Sequence, residues 1–281
     1  MFAPLIPATG IIGFRLLEQT EASQRLVFEA QPEIAREIAY FEENIASATT
    51  AEALVSDRRL LQVALGAFGL DDDINKQAFL RKMLEEGTED PGAFANLFVD
   101  PRYQNFVNAF GYGNSGGAQV AEPGFAASIT DAYKERQFEI AVGEQDSTLR
   151  LALNFRREIE TYATASDPDG TAWFSVLGDQ AVRAVFEGAF GLGDSFAQLD
   201  IDRQQQEMRE FNNRTFGSTS LEIFTDTEEV DRVISRFLAR QAALDGPTPL
   251  TPGFSALTLF GINNGGLGSS SIQNILLSVE S

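Results

Sequence analysis

The chain has no cysteine and no histidine among its 281 residues. The first absence excludes a disulfide, a thiolate nucleophile, a zinc–thiolate centre and an iron–sulfur cluster. The second excludes a Ser-His-Asp triad, an imidazole base working near neutral pH and a histidine metal ligand. Basic residues are scarce as well: 21 Lys and Arg stand against 41 Asp and Glu, a formal net charge of −20. Nucleic-acid backbones and anionic membrane surfaces are met by basic patches, so binding to nucleic acid and adhesion to a membrane are not expected. Long apolar runs are missing too, and no stretch reaches the roughly 18 uninterrupted residues of a membrane-crossing helix. The opening Met1-Phe2-Ala3-Pro4-Leu5-Ile6-Pro7 is apolar, but it has no Lys or Arg before Arg15 and is broken by Pro4, Pro7, Gly10 and Gly13. A cleaved secretory leader needs a basic start and a continuous apolar stretch, so none is expected.

What is present is enough for a core: 43% of the residues are apolar and 22% are charged. Phe dominates the aromatics, 23 against five Tyr and one Trp, and reads as core filling. Strand-like alternation is almost absent. Helical periods recur instead, at 16–30, 33–46, 57–68, 71–86 and 101–110, then in one long helix from about 126 to 163, relaxed near Gly143, and at 172–190, 200–212 and 226–243. The punctuation supports them. Gly69 sits just past a helix end, while Asp90-Pro91 and Asp100-Pro101 each read as N-cap plus first helical residue. Asp71-Asp72-Asp73 places acid at a helix N-terminus, where free N–H groups favour it. Tyr103, Phe106, Val107 and Phe110 form the stripe of a buried face.

The clearest organisational signal is internal. Gly66-Ala67-Phe68-Gly69-Leu70 recurs as Gly188-Ala189-Phe190-Gly191-Leu192 at an offset of 122, Arg36-Glu37-Ile38 as Arg157-Glu158-Ile159 at 121, and Phe98-x-Asp100 as Phe224-x-Asp226 at 126. These anchors predict an all-α, multi-helix bundle built from two similar helical units, with irregular N- and C-terminal arms. The expected division is an apolar arm over 1–13, a first unit over 14–117, a long helix plus a second unit over 118–244, and a Gly/Ser-rich tail over 245–281. Gly111–Gly117 is the expected linker.

Candidate chemistry is thin. Asp71, Asp73 and Asn75 match the first ligand positions of a calcium loop, but Lys76 and Lys82 stand where Gly and Glu are required. Asp167-Pro168-Asp169-Gly170 lacks the closing Glu and reads as a turn. The Gly111–Gly117 run has no Gly-Lys-Ser/Thr after it, so it is no phosphate cradle. No metal or cofactor is expected. The tail is more informative: Ile272, Ile275, Leu276 and Val279 fall at i, i+3, i+4 and i+7, one apolar face of a short helix after a Gly/Ser spacer. With Phe2, Leu5, Ile6, Ile11 and Ile12 at the other end, these are the candidate partner-binding residues, to be buried by a neighbour or by the chain's own body.

The stretch Asp57-Arg58-Arg59-Leu60-Leu61-Gln62-Val63-Ala64-Leu65-Gly66-Ala67-Phe68-Gly69-Leu70, continued by Asp73-Ile74-Asn75-Lys76-Gln77-Ala78-Phe79-Leu80-Arg81-Lys82-Met83-Leu84-Glu85-Glu86-Gly87, resembles the alphaproteobacterial family "domain of unknown function 1217". The resemblance covers about residues 30–240. It implies a duplicated helical protein in a flagellar context, since genes of that family lie among flagellar basal-body and rod genes, and it supplies no catalytic residues. The expectation is a non-enzymatic, flagellum-associated protein acting through contacts with other flagellar or export-apparatus proteins, in the bacterial cytoplasm or exported to the flagellum. Homo-oligomerisation is left open. A cytoplasmic export chaperone or adaptor is the alternative, and a carboxylate-dependent hydrolase the remote one.

Overall fold

A computed structural model describes residues 3–245 of the chain. Thirteen α-helices account for most of them, and no strand occurs among the described residues. The helices are α1 (Gly10–Glu29), α2 (Pro32–Asn44), α3 (Ala51–Ser56), α4 (Arg58–Phe68), α5 (Gln77–Glu86), α6 (Pro101–Phe110), α7 (Phe125–Gly143), α8 (Ser147–Ala163), α9 (Thr171–Gly178), α10 (Gln180–Phe190), α11 (Asp194–Ala197), α12 (Ile201–Phe216) and α13 (Thr227–Asp245). The protein is all-α.

Short side chains set many of the boundaries. Asp57, Asp100, Asp146, Asp179 and Asp200 each accept hydrogen bonds from backbone N–H groups in the first turn of the helix they precede. Those donors have no partner inside the helix, and an acceptor of negative charge also suits the helix dipole. At the other end, Gly69, Gly111, Gly191 and Gly217 turn out of their helices in the left-handed conformation.

Several helix boundaries differ from the sequence expectation: α1 starts at Gly10 and not at Leu16, and Asp90-Pro91 opens a turn, with Asp90 accepting the Gly92 N–H, and not an α-helix. The long helix over 126–163 is two helices, because Asp146 caps α8 and residues 144–146 turn between them. The expected helix over 172–190 is likewise divided, at Asp179. Asp71–Asp73 forms a 3-10 turn, and α5 starts only at Gln77. Asp73 turns inward, accepting the Tyr103 hydroxyl at 2.7 Å and pairing with Lys76 at 2.6 Å. The Gly111–Gly117 segment is packed against its surroundings: Gly113 lies on the backbone of Gly87, Asn114 Oδ1 accepts the Thr88 N–H, and the Tyr112 hydroxyl donates to the Ala48 carbonyl.

The apolar side chains gather into two cores. One holds Phe41, Leu54, Leu61, Leu65, Met83, Phe106 and Phe110 with their neighbours from α2 to α7. The other centres on Trp173, with Phe155, Phe186, Phe224, Val233 and Phe237 from α8 to α13. Phe fills both, largely in edge-to-face and tilted pairs such as Phe68–Phe106 and Phe155–Phe186. Trp173 is fully buried, and its indole N–H donates to the Thr219 carbonyl at 2.9 Å. Chain order misleads at one point. Helix α1 precedes the first core in sequence, yet Phe14, Leu17 and Phe28 pack in the second. Arg156 of α8 fixes it there, reaching Glu18 of α1 and Asp231 of α13 while lying over the Phe14 ring. Helix α7 serves both cores: Phe125, Ile129 and Tyr133 lie in the first, Phe138 and Val142 in the second.

Candidate interaction surfaces

Residues 3–9 are tied to the body. The Leu5 N–H donates to Gln24 Oε1 at 2.6 Å, Gln24 Nε2 returns a bond to the Leu5 carbonyl, and Gln145 Nε2 donates to the Pro4 carbonyl. Gln24 is buried on α1, and its amide completes this contact with a donation to Thr20 Oγ1. Residue 13 has to be glycine: a Cβ there would lie 1.9 Å from the Ala8 carbonyl oxygen, because the segment crosses the first turn of α1. Of the N-terminal candidates, Ile6 packs partly against the second core, Leu5 is exposed, and Ile11 and Ile12 are exposed on α1. Ile11 and Ile12 therefore belong to a helix, where an arm ending at residue 13 was expected. Phe2 lies outside the described residues, as do Ile272, Ile275, Leu276 and Val279.

The sequence reading missed the outward face of α1. Phe14, Leu17, Gln24 and Phe28 take the inner face. Opposite them lie Ile12, Leu16, Gln19, Ser23 and Leu26, with Val27 beside the last, all exposed. Their steps of four, three, four and three residues are the spacing of a coiled-coil seam. The seam carries no charge. Charged residues run along its flank, where Arg25 makes ion pairs with Glu21, Glu29 and Glu135. A helix with apolar residues on two opposite faces has a low amphipathic contrast, which is why periodicity alone gave no warning.

A concave surface lies apart from that exposed helix face. A cavity of about 430 Å³ is walled by the end of α4 at Gly69, by Arg136 and Glu139 of α7, by Arg150, Asn154 and Glu158 of α8, and by the start of α10 at Asp179. Helix pairing brings together charges that sequence spacing leaves apart. Arg157 grips both oxygens of Glu139, at 2.7 and 2.9 Å, and also donates to Glu158. Arg136 donates to Glu158 and, through Nε, to the Ala67 carbonyl at 2.8 Å. Arg102 meets the Gly69 carbonyl at 2.6 Å. Two guanidinium groups thus close the carboxyl end of α4, where helix carbonyls lack partners and the dipole is negative. Burial alone would raise the Glu158 carboxyl, but Arg136 and Arg157 outweigh it and hold the group below its usual range. Burial and the neighbouring Arg157 lower Arg136.

Chemically this cluster is a brace. A general acid at neutral pH needs a raised carboxyl pKa, and Glu158 is shifted the other way. The third carboxylate, Asp179, accepts the Ala181 and Val182 N–H groups on one oxygen and the Tyr162 hydroxyl, at 2.9 Å, on the other. Burial first, then the nearby Asp179 charge, pushes the Tyr162 phenol strongly up, so it stays a donor. The Asn154 Oδ1 is buried in the same wall without a hydrogen-bond partner among the described residues.

The remaining sequence candidates separate. Asp71 Oδ1 accepts from Gln137, Asp73 faces Tyr103, and Asn75 accepts from Arg58, so they do not converge on a common point. Asp167 accepts the Gly170 and Thr171 N–H groups, closing its own turn, and Asp169 pairs with Arg209. Among the described residues no group of three or more Asp or Glu is placed to hold a metal ion, and no helix is long and apolar enough to cross a membrane.

The family described as protein of unknown function (DUF1217) matches residues 67–230, more than half of the chain. A crystal structure of protein AGR_C_984 from Agrobacterium tumefaciens, a structural-genomics target, is similar at a TM-score of 0.70 and 26% identity, over 88% of this chain and 98% of that one. No curated protein matches.

Proposed function

The chain belongs to the DUF1217 family of proteins of unknown function, and from that premise we propose that it works without catalysis, as a flagellum-associated structural or assembly component that acts through protein–protein contacts. The observation that carries this reading is the outer face of α1. Five side chains at seam spacing, three of them Ile or Leu, stand in solvent on a helix whose other face is anchored in the second core. Exposed apolar groups at such spacing are what a partner helix buries. The flagellar context comes from the resemblance carried by residues 57–87. The protein acts in the bacterial cytoplasm or after export to the flagellum, and its partners are other flagellar or export-apparatus proteins.

The acid excess adds a second attribute. A net charge of −20 favours a partner with a basic surface and makes association weaken as salt rises. The test is motility of a deletion strain, joined to recovery of flagellar proteins on the full chain and on an Ile12→Asp, Leu16→Asp variant. The variant should lose those partners while keeping its helical circular dichroism. Undiminished recovery, or full motility without the gene, overturns the proposal.

A further inference from the structure

We propose that, before any partner arrives, the outer seam of α1 is covered by the chain's own C-terminal segment, residues 272–279. The inference rests on the reading of α1 as a docking surface, but it concerns the free protein.

Position is the first argument. Helix α13 ends at Asp245, and its last turns lie beside the first turn of α1: a Cβ on Gly10 would sit 3.8 Å from that of Ala242. The chain therefore continues from the same end of the molecule that presents Ile12 and Leu16. Covalent geometry allows the 26 residues between Asp245 and Ile272 to reach up to roughly 85 Å, well beyond the roughly 30 Å length of a twenty-residue helix such as α1. Complementarity is the second. Ile272, Ile275, Leu276 and Val279 have the spacing of one apolar helix face, about 12 Å long over two turns. That matches the half of the seam formed by Ile12, Leu16 and Gln19.

Charge decides between occupants. Residues 246–281 carry one charged side chain, Glu280, and the seam carries none, so the two meet without desolvating an ion. A second copy of this chain would bring another −20 against the first, and like charge opposes that approach. Tethering also gives the segment an effective concentration on the order of millimolar, which a free competitor has to exceed. The tail and the seam then mask each other, and a partner engages either one only by displacing the other.

The absence of cysteine makes the test clean. Gln19→Cys combined with Ser278→Cys in the full chain, treated at micromolar concentration with a short bismaleimide, should give an internally linked monomer at least tenfold faster than Lys82→Cys with Ser278→Cys, whose first site is exposed on α5. Adding Leu276→Asp should abolish the difference. Equal rates for the two pairs overturn the proposal. A linked dimer as the main product overturns it in favour of a second copy. As a cysteine-free check, amide exchange over residues 11–19 should be faster in Leu276→Asp than in the unaltered chain, and unchanged exchange counts against the contact. Both readouts use purified protein alone, so their failure leaves recovery of foreign partners standing, and failed recovery leaves them standing.

Discussion

Asp57 and Asp179 hold the same local position in two helices, and their surroundings predict different costs for losing them. Each caps its helix through two N–H groups on one oxygen, and each receives a tyrosine hydroxyl from seventeen residues upstream on the other, Tyr40 at 2.7 Å and Tyr162 at 2.9 Å. Losing a capping carboxylate costs about 1 kcal/mol. The second contribution depends on burial. Tyr162 is only 6% exposed, so Asp179→Ala strands its hydroxyl away from water, which adds about 1–3 kcal/mol. Tyr40 is half-exposed, and its freed hydroxyl turns to solvent at little cost. Asp179→Ala should therefore destabilise by about 2–4 kcal/mol and Asp57→Ala by about 1 kcal/mol. Urea unfolding followed by circular dichroism measures both. Repeating Asp179→Ala in a Tyr162→Phe background isolates the stranded hydroxyl, and the cost there should fall to that of the cap alone. A coupling near zero, or a larger loss at Asp57, refutes the reasoning.

Two further predictions use the same assay. A Cβ on Gly188 would lie 2.5 Å from the ring of Phe237, which is buried and has no room to turn; Gly188→Ala should cost about 1–3 kcal/mol, whereas Gly193→Ala, with nothing within 4 Å, should leave the melting midpoint nearly unchanged. Glu158 has a folded pKa depressed below its ordinary 4.5, so its stabilising contribution is present above that pH and is lost as pH falls through the lower folded value; Glu158→Gln should be less stable at pH 7 and show a flatter acid limb below about 4.5, and identical acid limbs would contradict the brace.

Helix ends were readable where three local signals coincided. Asp57, the apolar stripe Leu60-Leu61-Ala64, and Gly69 located α4 to within a residue, and Asp100-Pro101 did the same for α6. The break between α7 and α8 was legible only as a relaxation near Gly143, because Glu144 and Gln145 are good helix formers and Asp146 alone marks the new start. What favours the turn is tertiary: Gly143 lies against the Arg150 side chain, where a Cβ would come within 2.4 Å of Cδ. Asp73 was read as a dipole-facing acid, yet the hydroxyl it meets is thirty residues away. The brace of Arg136, Glu139, Arg157 and Glu158 escaped for the same reason. Its members come together only once α7 and α8 fold back on one another. The seam of α1 left a trace in Ile12, Leu16 and Leu26, hidden because the helix is apolar on its inner side as well.

Helix α7 inserts five large side chains into two separate places, three at its start and two near its end. A rod so seated cannot rotate or slide at one site without disturbing the other, since packed interiors tolerate no half-step. Phe125 and Val142 are thus held in different cores by one unbroken helix.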